Sequence, residues 1–443
     1  MTTPAVGTEQ LLAIPEVSVS ELVPAGADCD SVLMGFTAAS WIAVYRKHGP
    51  VFRLQEFGKV FACGAAASRE IWKHGDDWSY ADTSLGQIFQ SELGKQYITA
   101  SDGDYHRYQR RLLRPLFNGE SIYRHLSGID AVLAAGLQDM SGQQFDLHDL
   151  LIFLYTKGLN RTMVVNDASD VLIRRFARFE EEFIRGGLLQ GEARAAWYAR
   201  PDYVELRADV MGFFRQLISR RLSGERKEDN LDRLLDVMKQ QHNGVLDADE
   251  ILRDAYLMQA AGAGNMAGLC CTLLWLLMGN ENLYTQLRDE FRQLDPRQML
   301  KSGIAGMPFT RNFMLETERR YPVTPGMLKL AVRDLELVGY RIPAQTEIVH
   351  FFVLAHFLEE NYEDAFAFKP ERWAEGKLTR PHAFGGGEHV CIGQNLSYLF
   401  IVMTLRLLLA DHSVAAARAP YLKPVNDEPG SPLRVAFDVA LDC

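Results

Sequence analysis

Cysteine is scarce in this chain of 443 residues, and its six cysteines include no Cys-x-x-Cys pair or other spacing typical of zinc sites or disulfide frameworks. Long apolar runs are missing as well: no stretch reaches 18 apolar residues, and no basic segment followed by an apolar one stands at the start. We therefore expect neither a membrane anchor nor a secretion signal, and a cytoplasmic protein. The net charge of −10 argues against nucleic acid as a partner.

Apolar residues, in contrast, make up 47% of the chain, which is enough for a large core. Helical periodicity dominates from residue 68 to about residue 300, and strand patterns are short. A hairpin is predicted at 51–63, a second one at 338–349 with its turn at 342–345, and a final strand pair at 433–441. The chain is therefore predicted to be mainly α with small β-sheets. We expect residues 1–35 to form a loosely ordered N-terminal segment and residues 36–443 to form a single domain.

Ten residues near the end of the chain carry the most information. They run from Phe384 to Gly393 and read Phe-Gly-Gly-Gly-Glu-His-Val-Cys-Ile-Gly, and an apolar helix is predicted after them at 396–409. A thiolate at Cys391 would lie at the N-terminus of that helix, where the helix dipole and free N–H groups stabilise an anion. The glycines allow backbone amides to approach the sulfur closely. Such a sulfur suits a permanent axial ligand of haem iron, whereas the alternative is a buried structural cysteine.

This segment resembles the haem-binding loop of the cytochrome P450 superfamily, whose pattern is Phe-x-x-Gly-x-(Arg/His)-x-Cys-x-Gly. The residues that match it are Phe384, Gly387, His389, Cys391 and Gly393. The resemblance covers the chain from about residue 45 onward. It implies a single catalytic domain of the P450 fold that binds haem b between a long distal helix and the cysteine loop, with Cys391 as the axial thiolate.

The resemblance also implies a buried ion network. Glu316 and Arg319 form a Glu-x-x-Arg pair on a helix predicted at 311–321, and Arg372 lies in a Phe-x-Pro-Glu-Arg-Trp segment downstream. A Glu-x-x-Arg pair alone is common on surface helices. In the family, such a pair and the downstream arginine hold together the core behind the haem loop.

Four residues are implied as partners of the haem propionates. His106 and Arg110 are four residues apart and share one helix face. Lys329 stands where the family usually has arginine, and it can neutralise a propionate only as a point charge. His389 is the remaining partner.

The segment over residues 251–278 is predicted to be one long buried helix, and it departs from the family pattern. Gly264 and Asn265 stand where the family usually has an acid and a threonine that deliver protons during oxygen activation. Asparagine can hold a water but cannot readily relay a proton. The nearest upstream acid on the helix, Asp254, is about 16 Å away at 1.5 Å per residue. The glycines favour either a locally opened helix or tight packing on the haem. A dinucleotide-binding glycine motif is excluded because no strand precedes the segment.

This departure leaves three mechanisms open. The substrate could supply its own hydroxyl or carboxylate, Asn265 could order waters that carry protons, or the enzyme could bypass the usual use of O₂. The last case would make it a peroxygenase, dehydratase or isomerase of the same fold. A haem-binding protein without catalysis is the remaining alternative.

The function implied is that of a monooxygenase of secondary metabolism acting on a small hydrophobic molecule, such as a carboxylate-bearing terpenoid or a fatty acid. Substrate contacts are predicted in several regions, including a loop near Gly430. The residues predicted to contact the substrate are Arg185, Arg194, Met258 and Met327. Only about fifty residues follow the cysteine loop, so electrons are expected from a separate ferredoxin or flavodoxin. One cluster of arginines is either a solvated helix face or the surface on which this electron donor docks: Arg107, Arg111 and Arg114.

Overall fold

The computed structural model describes residues 11–24, 32–94, 97–164, 168–241, 244, 246–260, 262–293, 303–411, 413–416, 421–424, 433–436 and 438–442. Residues 1–10 and 25–31 of the predicted N-terminal segment and the predicted substrate loop near Gly430 therefore lie outside the described residues. The described part of the chain is mainly helical.

The helices begin early and continue through most of the chain. They are α1 Ala38–His48, α2 Gly64–Lys73, α3 Ser84–Leu93, α4 Gly103–Leu113, α5 Gly119–Tyr123, α6 Leu126–Gln138, α7 Leu147–Met163, α8 Asp170–Leu188, α9 Gly191–Tyr198, α10 Pro201–Leu222, α11 Asn230–Gln241, α12 Ala248–Ala260, α13 Ala263–Met278, α14 Glu281–Gln293, α15 Pro308–Arg320 and α16 Gln394–Arg406.

The strands are short. They are β1 Glu16–Val17, β2 Val32–Leu33, β3 Phe36–Thr37, β4 Val51–Leu54, β5 Lys59–Cys63, β6 Trp78–Ser79, β7 Gln144–Asp146, β8 Met327–Ala331, β9 Leu335–Leu337, β10 Tyr340–Ile342, β11 Glu347–Phe351, β12 Ser413–Ala416, β13 Tyr421–Pro424, β14 Leu433–Ala436 and β15 Asp438–Asp442. The largest sheet has the order β1-β4-β5-β11-β8-β6. The predicted hairpin at 51–63 is its antiparallel β4–β5 pair.

The second predicted hairpin was placed wrongly. The turn lies between β9 and β10 at Val338 and Gly339, whose φ angles of 45° and 85° allow a tight reversal. The strand β11, which was predicted to be the second strand of the hairpin, pairs instead with β5 and β8. It can do so because four of its five residues are buried, which is the pattern of a central strand rather than of a hairpin edge.

The last two strands were predicted as a pair, and this too is wrong. The strand β14 pairs with β13, while β15 pairs with β12 on one side and with β7 on the other. The strands were located from their apolar alternation, but alternation alone does not show which strand each one pairs with.

The predicted single helix over 251–278 is two helices. The first, α12, ends at Ala260, and α13 begins at Ala263 after Gly262, which has a φ of 116° and a ψ of −2°. A residue with a side chain adopts this left-handed conformation only at a cost, so glycine permits the break. A Cβ at Gly262 would meet no atom within 4 Å, which shows that backbone conformation and not space selects glycine here.

Most helices enclose one large apolar core, and the main sheet packs with α1 around a second, smaller one that centres on Trp41. Two stretches, Ala248–Met278 and Gly387–Ala410, are long and apolar enough to cross a membrane by composition alone. About two thirds of each is buried inside the protein, as expected for core helices, so they are weak evidence for a membrane segment.

Candidate functional site

The cysteine loop folds back on itself before α16 begins. The backbone N–H of Cys391 donates to the carbonyl of Phe384 at 3.0 Å, and Gly393 is the residue that precedes the helix. Burial raises the pKa of the Cys391 thiol, and hydrogen bonds from the backbone N–H groups of Gly393 and Gln394 together with the charge of Arg110 offset only part of this increase. These amide donors and the nearby cation still favour a thiolate over a thiol, and they suit a sulfur that binds a metal ion.

An aromatic side chain supports the glycines of this loop. A Cβ at Gly386 would lie 2.5 Å from Cε2 of Trp72, and one at Gly387 would lie 2.9 Å from its Cδ1. Gly387 also has a φ of 64°. The indole of Trp72 in turn packs against the imidazole of His382, with ring centroids 4.4 Å apart. Close approach to Trp72 is thus a reason for two of the three consecutive glycines.

Behind the loop, the three residues predicted as an ion network meet. Both oxygens of Glu316 accept hydrogen bonds from Arg319, at 2.7 Å and 3.0 Å, and Arg372 Nε donates to Oε1 at 3.1 Å. The indole N–H of Trp373 donates to Oε2 at 2.9 Å. Glu316 and Arg319 are fully buried. Since every one of these charges is paired, the network fixes α15 against the segment around Arg372.

Two of the predicted propionate partners stack on each other. The rings of His106 and His389 are 4.0 Å apart and nearly parallel. Burial, followed by the charges of His389 and Arg110, lowers the pKa of His106 to about 3, so this ring is neutral at pH 7. His106 Nδ1 is buried without a hydrogen-bond partner among the described residues.

Asp102 orients His389, with 3.0 Å between its Oδ1 and Nε2 of the imidazole. Its other oxygen accepts from the hydroxyl of Ser79 and from the N–H groups of Tyr80 and Ala81, at 2.8 to 2.9 Å. Burial opposes ionisation of Asp102, but these donors outweigh burial and lower its pKa well below the ordinary value. Asp102 is thus an anion that orients His389 through a fixed hydrogen bond.

The other two predicted propionate partners are cations without an acid bonded to them in the described part of the chain. Lys329 is 7% exposed, and burial lowers its pKa although Asp102 and Glu388 oppose this. Burial likewise lowers the pKa of Arg110, and the sulfur of Cys391 opposes it. A cavity of about 330 Å³ beside the loop is lined by Lys329, Asp102 and His389, among others.

These residues fit a haem group. A cysteine with amide donors on its sulfur would bind the iron, and two partly buried cations with an unpaired imidazole nitrogen would hold the propionates. The site also contains one residue that was not predicted from the sequence, Asp102, which orients His389. It was missed because its carboxylate acts on His389, which is 287 positions away.

The distal helix α13 packs against α16, at whose start the cysteine loop lies. Asn265 is exposed although Ala263 and Met266, beside it, are buried. Gly268, one turn further on, approaches Val323 in the chain before β8, with 4.0 Å from its ideal Cβ to Cγ1. The helix face that carries Asn265 therefore points toward the segment that leads to Lys329.

The four residues predicted to contact substrate have different surroundings. Arg185 pairs with Glu181 on the next turn, and Arg194 donates to the carbonyls of Leu189, Gly187 and Ser84. Met258 is buried on α12, and Met327 is half-buried at the start of β8. The sulfur of Met327 lies 3.9 Å from the ideal Cβ position of Gly385, beside the cysteine loop. Of the four, Met327 is thus the one the structure places next to that loop.

The fold and these side chains define a haem-thiolate protein. The chain belongs to the cytochrome P450 family, whose sequence profile, described as Cytochrome P450, matches residues 188–431. It is accordingly a cytochrome P450 monooxygenase, an oxidoreductase that carries haem b on a cysteine thiolate. The predicted family, fold class, enzyme class and cofactor are thereby confirmed.

Relatives with assigned activities are distant in sequence. The chain is 25% identical over 398 residues to cyclooctat-9-en-7-ol 5-monooxygenase of Streptomyces melanosporofaciens, covering 82% of this chain and 84% of that one. It is 23% identical over 332 residues to pentalenene oxygenase of Streptomyces avermitilis, covering 72% and 74%. It is 24% identical over 392 residues to sterol 14alpha-demethylase of Mycobacterium tuberculosis, covering 84% and 86%.

Solved structures share the fold. Retinoic acid bound cyanobacterial CYP120A1 superimposes with a TM-score of 0.77 at 18% identity, over 97% of this chain and 99% of that one. The heme domain of cytochrome P450DA gives a TM-score of 0.78 at 16% identity, over 97% of each chain.

Proposed function

We propose that this enzyme inserts one oxygen atom into a cyclic terpenoid or a similarly apolar molecule. The observation that carries the proposal is the pairing of the cysteine loop at Cys391 with an apolar distal helix whose first turn presents one polar side chain, Asn265. The names of the relatives, which describe terpenoid and sterol oxidation, support the substrate class. Arg185 and Arg194 both bond to other groups of the protein. The prediction that the substrate carries a carboxylate therefore gains no support from these two arginines.

Each residue of the site has a role in this proposal. Cys391 would bind the iron, while Arg110, Lys329, His106 and His389 would hold the propionates. The bound haem would supply the chemistry of O₂, in which two electrons and two protons enter, one oxygen atom goes into a C–H bond and the other leaves as water.

Asn265 orders water on the distal side. Its amide has two N–H donors and one carbonyl acceptor, so it can hold a water in a fixed position but cannot itself pass on a proton at neutral pH. Gly264 adds no side chain beside it. Asn265 is therefore a positioning residue, and the proton must come from another group.

The electrons are proposed to come from a separate ferredoxin or flavodoxin in the cytoplasm. Arg111 and Arg114 are exposed on α4 and at its end. Arg107 bonds to Asp76, Asp104 and Glu388, so its charge is already neutralised and adds little to a docking surface.

A Soret titration of the ferric enzyme tests the substrate class. Abietic acid, methyl abietate, dodecanoic acid and methyl dodecanoate are added in turn, and the shift to the high-spin form is recorded. We expect both terpenoid probes to shift the band. A shift with the two acids alone would show that a carboxylate is recognised, and no shift with either terpenoid would contradict the proposed substrate class.

The missing acid and alcohol at positions 264 and 265 favour one second candidate, a peroxygenase. Turnover of the probe that binds is therefore compared with O₂ and an electron donor, with hydrogen peroxide alone, and with neither. Product that forms only with O₂ and electrons supports the monooxygenase. Equal product with peroxide alone would support the peroxygenase, and product with neither would indicate a dehydratase or isomerase.

A further inference from the structure

The break in the distal helix places an acid from another helix at the distal site. In a continuous helix the N–H of Gly262 would donate to the carbonyl four residues earlier. Here it donates instead to Oε1 of Glu180, at 3.3 Å. Glu180 lies on α8, so the carboxylate reaches the distal helix from a separate element at the point where the helix is interrupted.

The position of Glu180 on α8 is well fixed. Ser169 caps the N-terminus of this helix, and its hydroxyl accepts the N–H of Leu172 at 3.3 Å. Phe179, the residue before Glu180, is fully buried, and it packs against Tyr256 of α12 with ring centroids 5.9 Å apart. Because this neighbour is buried against α12, the backbone at Glu180 is held beside the break.

The carboxylate is also close to the site of the missing acid. Gly262 precedes Asn265 by three residues, one turn of α13, or about 4.5 Å along the axis. The carboxylate lies at the N-terminal end of α13, where the helix dipole favours a negative charge. Glu180 thus occupies the end of the helix turn that carries Gly264 and Asn265.

A buried carboxyl group lies on the neighbouring helix α12. Asp254 on α12 is 1% exposed, and neither of its oxygens has a hydrogen-bond partner among the described residues. Burial raises the pKa of Tyr97, and the charges of Glu180 and Asp254 raise it further, so this tyrosine lies within electrostatic reach of both. Asp254 shares a helix face with Glu250, which accepts the hydroxyl of Tyr105 at 3.1 Å.

We propose that Glu180 is the acid of the distal site, replacing the carboxylate absent at position 264, and that it gives protons to a water held by Asn265. The inference rests on the proposed monooxygenase function. In each turnover the substrate and O₂ take up two electrons from the donor protein and two protons, and yield the hydroxylated product and one water. Glu180 releases a proton to the water on Asn265 and regains one from the side of Asp254 and Glu250.

The test separates the role of Glu180 as a proton donor from its role as the hydrogen-bond acceptor of the Gly262 N–H. Glu180→Gln keeps an oxygen that can accept the Gly262 N–H but cannot supply a proton, whereas Glu180→Ala removes both. The matched control is Glu181→Gln, the next residue on α8, which pairs with Arg185 at the surface. Two readouts are taken: hydrogen–deuterium exchange of the peptide over 257–266, and product formed per electron consumed with the titration probe that the wild-type enzyme converts.

We expect Glu180→Ala to speed exchange at Gly262 and Glu180→Gln to leave it as in the wild type. Product per electron should fall about 10²-fold in Glu180→Gln, the lower end of the effect of losing a positioned acid. Glu181→Gln should match the wild type in both readouts.

Wild-type coupling in Glu180→Gln would overturn the proposal and leave Glu180 as a helix cap. Unchanged exchange in Glu180→Ala, or an equal loss in Glu181→Gln, would overturn it as well. If the wild-type enzyme forms no product with O₂ and electrons, the proposed function fails and the acid role fails with it. If the wild type turns over and Glu180→Gln matches it, only the acid role fails.

Discussion

Arg319 makes five hydrogen bonds to four residues of the core behind the cysteine loop, so its removal gives a sharp test of that core. Its guanidinium donates to both oxygens of Glu316 and to the carbonyls of His356, Ala365 and Ala367, at 2.6 to 3.0 Å. The side chain is fully buried. The change Arg319→Leu keeps an apolar side chain of moderate size but removes all five hydrogen bonds.

The cost follows from what is left behind. Glu316 keeps Arg372 and Trp373, but it loses its closest counter-charge, and removing one partner of a buried ion pair costs about 3–5 kcal/mol. Three carbonyl groups also lose a donor. With an unfolding entropy of about 2.1 cal/mol/K per residue, or roughly 0.9 kcal/mol/K for a chain of this length, we expect the Tm to fall by about 3–5 °C.

The loss of stability is measured as the Tm of thermal unfolding, monitored by circular dichroism. The haem content of the purified protein is measured as well. The control is Arg333→Leu, because Arg333 also bonds to both oxygens of one acid, Asp77, but lies at the surface with 63% of its side chain exposed. An exposed pair contributes about 0–1 kcal/mol, so the control should melt within about 1 °C of the wild type. An Arg319→Leu protein that melts like the control would refute the reasoning.

Four further outcomes are expected. Cys391→Ser should abolish the thiolate Soret band of the reduced carbon monoxide complex, and a retained band would exclude this cysteine as the ligand. Asn265→Thr should change the product formed per electron, whereas an unchanged ratio would place Asn265 outside the proton route. Gly386→Ala, which puts a Cβ 2.5 Å from Trp72, should lower haem content, and full occupancy would show that the loop can shift without loss. Burial raises the pKa of Asp254 to about 8, so the folded protein keeps a proton that the unfolded chain loses above about pH 4. The contribution of Asp254 to stability therefore falls as pH rises from about 4 to 8, and the Tm of Asp254→Asn relative to the wild type should rise over that range; a constant difference would contradict the raised pKa.

The parts of the site that the sequence could reveal are those written in short stretches of chain. The loop from Phe384 to Gly393, the Glu-x-x-Arg pair and the His106–Arg110 spacing each combine a local element with a characteristic residue pattern. Such patterns can be recognised in a sequence because residues that are close in sequence are also close in space within a helix turn or a tight loop.

The parts that escaped are contacts between distant segments. Asp102 bonds to a histidine 287 positions later, and Glu180 bonds to a glycine 82 positions later. Neither acid belongs to a motif, and single acids are most often solvated. The glycines around position 262 were compatible with either an opened helix or tight packing on the haem, and the continuous apolar pattern across them predicted one helix.

Strand pairing in the main sheet also governs when this protein can fold during its synthesis. The neighbours β5 and β11 are joined by an ion pair between Lys59 and Glu347, which are 288 positions apart. Loops of this length close slowly and make folding depend on contacts that are distant in the chain. The edge of β5 that pairs with β11 therefore lacks its partner until β11 has been made. Because the cysteine loop comes later still, haem can be bound through Cys391 only after both strands have been made.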